Sequence, residues 1–254
     1  MRLRPSPSAA LSILVLAARV PGVFAQTLTV SAAASLTDAT QEIATSFEKA
    51  TGAKVALNFG ASNQLARQIE EGAPVDLFLS ADEASVDRLE KKGLLAAGTR
   101  RSILSNTLVI VVEKGSPSTV DSPRELASEG VRSLALAEPG SVPAGIYARQ
   151  YLQALGLWES VRAKVIPTEN VRAALAAVES GNADAAIVYR TDAGISRKVR
   201  VAYEVPPDAG PPISYGAAIL RDTRQAGAAR RFLSYLESPA ASAVFLRYGF
   251  RPKH

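Results

Sequence analysis

Five residues of this chain stand where a strand is predicted to end, and together they could hold an anion. They are Ser35, Ser62, Ala144, Val171 and Tyr189. The first four stand at predicted strand-to-helix turns, where helix starts offer unbonded backbone N–H groups and the positive end of a helix dipole. The set contains no Lys or Arg. Such a site would bind through N–H groups, hydroxyls and dipoles rather than through countercharge.

The first of these turns organises the rest of the chain. A short apolar strand is predicted over residues 27–30, and apolar side chains then recur at helical spacing at Leu36, Ile43 and Phe47. The helix is therefore expected to begin at Ser35, with Ser35 as its N-cap. Three alanines before Ser35 would let an anion approach the backbone closely.

Strands and helices alternate along the chain, which indicates an α/β fold. In open α/β sheets, ligands gather outside the carboxyl ends of the strands, so the five residues can face one crevice. Asp82, Asn170 and the pair Thr191 and Asp192 are predicted helix caps. Further strands are predicted at 54–59, 75–79, 108–112, 133–137, 164–166, 183–189, 199–205 and 213–220, and the later helices at 64–71, 83–92, 144–155, 171–180, 224–236 and 240–247.

The first 25 residues have the pattern of an export signal. Arg2 and Arg4 form a basic start, residues 11–18 are a short apolar run, and Val23-Phe-Ala25 is typical of a cleavage site. No later stretch reaches the roughly 20 apolar residues of a membrane helix, and a chain without Cys is not expected to carry a lipid anchor. We therefore expect a soluble, exported protein that begins at Gln26.

Composition excludes several classes of function. The chain has 254 residues, no Cys, and one His at its last position, so thiol catalysis, His triads and Cys or His metal sites are not expected. The formal net charge is +5, and loss of the predicted signal lowers it to about +2. We expect no nucleic-acid partner, no cofactor and no free metal cation.

An enzymatic alternative depends on one motif. Ser46 and Lys49 have the Ser-x-x-Lys spacing of penicillin-binding enzymes, but the companion motifs of that class are missing. A secreted enzyme acting on anionic esters is therefore the alternative to an anion-binding protein.

Several blocks of the mature chain form a recognisable series: 32–38, 59–62, 65–69, 72–78, 142–148, 170–175, 187–189 and 247–250. In this order they resemble the periplasmic molybdate-binding proteins of ABC importers. The resemblance implies a two-lobed type II periplasmic binding fold, with a mixed, mostly parallel sheet flanked by helices in each lobe and an oxyanion in the cleft. Lobe I would comprise residues 26–105 and 216–254, and lobe II residues 106–215.

The same resemblance implies roles for the five residues. Backbone N–H groups of Ser35, Ser62, Ala144 and Val171 would donate to the anion, as would the hydroxyls of Ser35, Ser62 and Tyr189. It also implies a monomeric periplasmic protein, not an enzyme, that binds molybdate or tungstate and delivers it to an ABC permease. The chain departs from the family pattern at Asn63 and at Glu169-Asn170.

Other binding proteins remain as alternatives. Sulfate is the first, because it is also a tetrahedral dianion. A phosphate site would need an acceptor such as Asp for the proton that phosphate keeps. A ferric site would need paired tyrosines, and Tyr189 has no adjacent tyrosine in the sequence.

Overall fold

The computed structural model describes residues 27–117 and 120–253, and it confirms the predicted α/β fold. The predicted export signal at 1–25 lies outside the described residues. The strands are β1 (Thr27–Ala33), β2 (Lys54–Gly60), β3 (Leu77–Ser80), β4 (Arg101–Ser105), β5 (Leu108–Glu113), β6 (Leu134–Ala137), β7 (Val165–Thr168), β8 (Ala185–Tyr189), β9 (Val199–Glu204), β10 (Tyr215–Ile219) and β11 (Arg251–Pro252). The helices are α1 (Thr37–Thr51), α2 (Ser62–Glu70), α3 (Glu83–Lys91), α4 (Pro143–Ala154), α5 (Trp158–Val161), α6 (Val171–Glu179), α7 (Arg190–Ile195), α8 (Ala226–Leu236) and α9 (Pro239–Arg247).

The strands form two mixed sheets. One has the order β11-β4-β10-β3-β1-β2, and the other has the order β7-β6-β8-β5-β9. In the first sheet β1 runs parallel to β2 and β3, while β10 is antiparallel to β3 and β4. The chain passes from the first sheet to the second between β4 and β5, and it returns between β9 and β10.

Sequence patterning explains the central strands and the helices around them. Every residue of β3, β6, β8 and β10 is buried, as expected for strands covered on both faces. On α1 the predicted stripe is buried at Ile43 and Phe47, and the ring of Phe47 packs edge-on against Phe232 of α8. Gly93 and Gly181, with φ of 68° and 73°, follow the ends of α3 and α6, where the left-handed backbone favours glycine.

Two strands were not predicted from the sequence. β4 contains exposed residues at its start and mixed polarity, and β11 has two residues, so neither shows a clear alternating pattern. Both lie at one side of the first sheet, where β4 pairs with β10 and β11 pairs with β4. Among the described residues, no helix has the length and apolar character needed to cross a bilayer.

Candidate functional site

All five predicted site residues line one small cavity between the two sheets. The cavity volume is about 20 Å³, which is room for roughly one water-sized sphere. Each of the five is at least 97% buried. The lining consists of Ala33, Ala34, Ser35, Gly60, Ala61, Ser62, Ala81, Val142, Pro143, Ala144, Asn170, Val171 and Tyr189.

Ser62 is the first residue of α2, and its side-chain oxygen is hydrogen-bonded to a backbone N–H. Its Oγ accepts a hydrogen bond from the N–H of Ala81 at 2.9 Å. The hydroxyl proton of Ser62 is therefore free to point into the cavity. The backbone N–H of Ser62 has no carbonyl partner within α2, because it belongs to the first turn.

The predicted N-cap at Ser35 is wrong. A short 3₁₀ turn, Ala34–Leu36, comes between β1 and α1, and Leu36 is the residue that precedes α1. The side chain of Ser35 makes no cap bond; its Oγ lies 3.1 Å from Oη of Tyr215 instead. The tight turn still leaves the first backbone N–H groups without partners inside it, so Ser35 stays at an electropositive chain turn.

Ala144 and Val171 stand in the first turns of α4 and α6. Pro143 occupies the first position of α4, where its missing N–H costs nothing. Asn170 is confirmed as the cap of α6, with Oδ1 accepting from the N–H groups of Arg172 and Ala173. Asn170 does not accept a hydrogen bond from the N–H of Val171, and Val171 lines the cavity.

Tyr189 supplies a hydroxyl that is buried and unused within the described chain. Its Oη has no hydrogen-bond partner there, and the residue is 1% exposed. Burial raises the pKa of Tyr189 well above its ordinary value, so the phenol keeps its proton. An unpaired buried hydroxyl is costly, and an acceptor in the cavity would satisfy it.

The structure also brings a second tyrosine to Tyr189, which the sequence did not reveal. Tyr215 packs against it with ring centroids 5.9 Å apart. The Oη of Tyr215 is hydrogen-bonded to Ser35 Oγ and to Asn106 Nδ2, and Tyr215 itself does not line the cavity. Among the described residues, no group of three or more His, Cys, Asp or Glu side chains could hold a metal ion.

No charged side chain belongs to the cavity lining within the described chain. The sequence analysis did not reveal a charge cluster beside the site: Arg172, next to Val171, donates to Asp192 at 2.5 Å and to Asp38 at 2.7 Å. Asp38 belongs to α1 beside the first sheet, so Arg172 ties the two halves together. The prediction of Thr191 and Asp192 as a helix cap is wrong, because α7 begins at Arg190 and both residues lie inside it.

The two departures from the family pattern lie at the edge of the site. Asn63 does not line the cavity, although Asn170 does. Glu169 is exposed and accepts from Nδ2 of Asn170 at 3.3 Å. The Ser46 and Lys49 pair of the enzymatic alternative lies on α1, outside the cavity lining.

Comparison with known proteins gives concordant relatives. The family model described as bacterial extracellular solute-binding protein matches residues 28–251. The molybdate-binding protein ModA of Escherichia coli is 44% identical over 231 residues, which are 89% of each chain. The structure of the Azotobacter vinelandii periplasmic molybdate-binding protein matches with a TM-score of 0.80 at 27% identity, over 89% of this chain and 100% of that one.

A sulfate-binding protein shares the fold. The structure of SubI from Mycobacterium tuberculosis matches with a TM-score of 0.80 at 20% identity, over 89% of this chain and 86% of that one. At this identity the likeness concerns the fold alone. The family model and the ModA relative together cover nearly all of the described residues and confirm the expected two-lobed α/β architecture. The chain therefore belongs to the bacterial extracellular solute-binding protein family, in the group that contains the molybdate-binding proteins.

Proposed function

We propose that this protein binds molybdate or tungstate in the cavity between its sheets and delivers the anion to the permease of an ABC importer. The observation that carries the proposal is the convergence of Ser35, Ser62, Ala144, Val171 and Tyr189 on one cavity. These residues come from separate turns of both sheets, and each offers a backbone N–H or a hydroxyl. The choice of molybdate as the anion is supported by the ModA relative, which is named as a molybdate-binding protein.

The chemistry of the wall favours a fully ionised anion. Helix starts α2, α4 and α6 direct their positive ends at the cavity. The one amide oxygen in the lining, Oδ1 of Asn170, is already used by two backbone N–H groups. A wall of donors without a carboxylate offers hydrogen phosphate no charged acceptor for the proton that it keeps. Phosphate is therefore not the proposed ligand.

The small volume argues against large organic ligands. A cavity of about 20 Å³ has no room for a sugar or a peptide. Because the donors are fixed in position, an anion must have the right size for its oxygens to lie within hydrogen-bond distance of all of them. The larger tetrahedral anions and the smaller sulfate should therefore differ in how many donors they reach. Sulfate is the alternative outcome of the test below.

We propose lobes that follow the sheets except at Tyr215, the first residue of β10: residues 26–105 and 216–254 as lobe I, and 106–215 as lobe II. Donors from both lobes are satisfied together only when the lobes are closed, so the anion would favour the closed state. The proposed protein is a periplasmic monomer, exported by a signal at residues 1–25 and without a nucleic-acid partner.

Binding rather than catalysis is proposed because the site offers no general base. The cavity lining of the described chain contains neither His nor a carboxylate, and Ser46 and Lys49 lie elsewhere. The proposed function needs no cofactor. Molybdenum enters only as part of the bound oxyanion.

The test is elemental analysis of the purified mature protein. After growth with molybdate, the denatured protein should release about one equivalent of unchanged molybdate. A Ser35→Ala, Ser62→Ala double variant, purified in parallel, should release much less. One equivalent of sulfate would replace the proposed ligand, and release of a chemically altered anion would contradict a binding function.

A further inference from the structure

Asn106 has a fixed orientation at the passage from β4 to β5. Its Oδ1 accepts the N–H of Thr107 at 2.9 Å, so this atom must be the amide oxygen. The amide nitrogen therefore faces the other way. Its two N–H groups donate to Oγ1 of Thr191 at 2.9 Å and to Oη of Tyr215 at 3.1 Å.

Tyr215 can donate in only one direction as a result. It is fully buried at the start of β10, with its ring edge-on to Phe250 at 5.5 Å. Burial raises the pKa of the phenol, which keeps its proton. Since Asn106 presents an N–H to Oη, Tyr215 cannot donate back to it. The remaining partner is Oγ of Ser35, at 3.1 Å.

We propose that Asn106 and Tyr215 are positioning residues that fix the Ser35 hydroxyl as a donor into the cavity. The proposal rests on the proposed function, in which Ser35 binds an anion. Once Ser35 Oγ accepts from Tyr215, its own proton has no other partner within the described chain and points to the ligand. Hydrogen bonds arranged in such a chain also strengthen one another.

Ser62 shows the same principle with a different support. The N–H of Ala81 donates to Ser62 Oγ at 2.9 Å, as Tyr215 donates to Ser35. A backbone N–H cannot be removed by side-chain substitution, whereas the hydroxyl of Tyr215 can. Tyr215 is thus a side chain that can be substituted and whose hydroxyl keeps Ser35 as a hydrogen-bond donor. By doing so it also disfavours the binding of anions that carry a proton.

The test is a double-mutant cycle with molybdate, measured by isothermal titration of the full mature protein. Tyr215→Phe keeps the ring and should weaken binding by about fivefold. In the Ser35→Ala background the same change should weaken binding by less than about twofold, because the hydroxyl it serves is gone. Equal factors in both backgrounds would overturn the proposal, since loss of packing would act regardless of Ser35.

Tyr189→Phe is the matched control. It also removes a buried phenol hydroxyl beside the cavity, but Tyr189 has no bond to Ser35. Its effect should be the same in both backgrounds. Asn106→Ala, placed in the same cycle, should give a smaller loss that also disappears in Ser35→Ala, and it serves if Tyr215→Phe fails to fold.

A second readout distinguishes donation from packing. Without Tyr215 Oη, the Ser35 hydroxyl can rotate so that its oxygen accepts a hydrogen bond from a protonated anion. The ratio of phosphate to molybdate dissociation constants should therefore fall in Tyr215→Phe. The ratio should stay unchanged if Tyr215 acts only through its ring, and that result would count against the positioning role of Tyr215. A wild-type protein that binds no oxyanion would instead overturn the proposed function, and this positioning role with it.

Discussion

Nε of Arg172 donates to Oδ1 of Asp192 at 2.5 Å in the protein interior. Asp192 is fully buried, and its Oδ2 has no hydrogen-bond partner among the described residues. Burial outweighs the attraction of Arg172 and raises the pKa of Asp192 to about 6. Asp38, which shares the same guanidinium, adds a second negative charge to the cluster.

This pKa makes stability depend on pH in a defined direction. Between about pH 4 and pH 6 the folded protein holds a proton on Asp192 that the unfolded chain has released. The contribution of Asp192 to the free energy of unfolding should therefore fall as pH rises through this window, by at most about 3 kcal/mol. Asp192→Asn should remove that fall, as measured by denaturant unfolding at pH 4, 5, 6 and 7.

Asp184 provides a control of opposite sign. Desolvation acts to raise its pKa, but hydrogen bonds from Arg132 and Ser133 outweigh desolvation and hold the pKa below its ordinary value. Asp184→Asn should therefore remove stability that wild type gains as pH rises. If the Asp192→Asn and wild-type curves stayed parallel, the raised pKa of Asp192 would be refuted.

Ala substitution of either cavity serine should weaken binding and lower stability. Each variant loses a donor to an ionised acceptor, worth about 1.5 to 3 kcal/mol, or about tenfold to a hundredfold in affinity. Ser62→Ala leaves the buried N–H of Ala81 without its acceptor, and Ser35→Ala does the same to the buried hydroxyl of Tyr215, so each should also lower the free energy of unfolding by about 1–3 kcal/mol. Titration calorimetry and thermal unfolding of both variants measure the two effects; unchanged affinity in both would remove these serines from the site.

Gly145 sets how closely α4 approaches the second sheet. A Cβ at this position would lie 1.9 Å from the carbonyl oxygen of Ala137, at the end of β6. Gly145→Ala should displace the start of α4, with the Ala144 N–H, and cost about 1–3 kcal/mol of stability together with affinity. Gly140→Ala is the control, because its Cβ would meet only Glu138 Oε1, at 3.4 Å. Equal melting temperatures for the two variants would contradict this role of Gly145.

Ligand binding should make the protein more compact. The proposed hinges lie near Ser105 and Tyr215, where the chain passes between the sheets. Small-angle scattering should show a smaller radius of gyration with molybdate than without it. The Ser35→Ala, Ser62→Ala double variant should show no such change at the same anion concentration. Identical curves for wild type with and without molybdate would count against closure.

Local signals predicted most of the fold and placed the five candidate residues at strand ends, while the family resemblance supplied their proposed donor roles. Apolar periodicity and caps such as Asp82 and Asn170 found the helices, because those signals act within a few residues. The cap at Ser35 was predicted wrongly because a 3₁₀ turn and an α-helix begin with the same local pattern. The weakly patterned β4 was not predicted because its pairing partner β10 is remote in the sequence.

The supporting shell of the site could not be predicted from local patterns. Tyr215 reaches Ser35 across 180 positions, and Arg172 reaches Asp38 across 134. Contacts of this kind depend on how the two sheets are placed, and a single sequence contains no periodic signal for them. The same limit applies to the neighbouring rings of Tyr189 and Tyr215, which are far apart in the chain.

The most direct measurement of the central claim is the melting temperature of the mature protein with a panel of oxyanions. A ligand that binds only the folded state adds about 2.7 kcal/mol at a hundredfold excess over Kd, a shift of several degrees for a chain of this size. Molybdate and tungstate should give the largest shifts, sulfate a much smaller one, and phosphate none, because fixed donors select size and full ionisation. A largest shift with sulfate would make this a sulfate-binding protein, and no shift with any oxyanion would contradict the account.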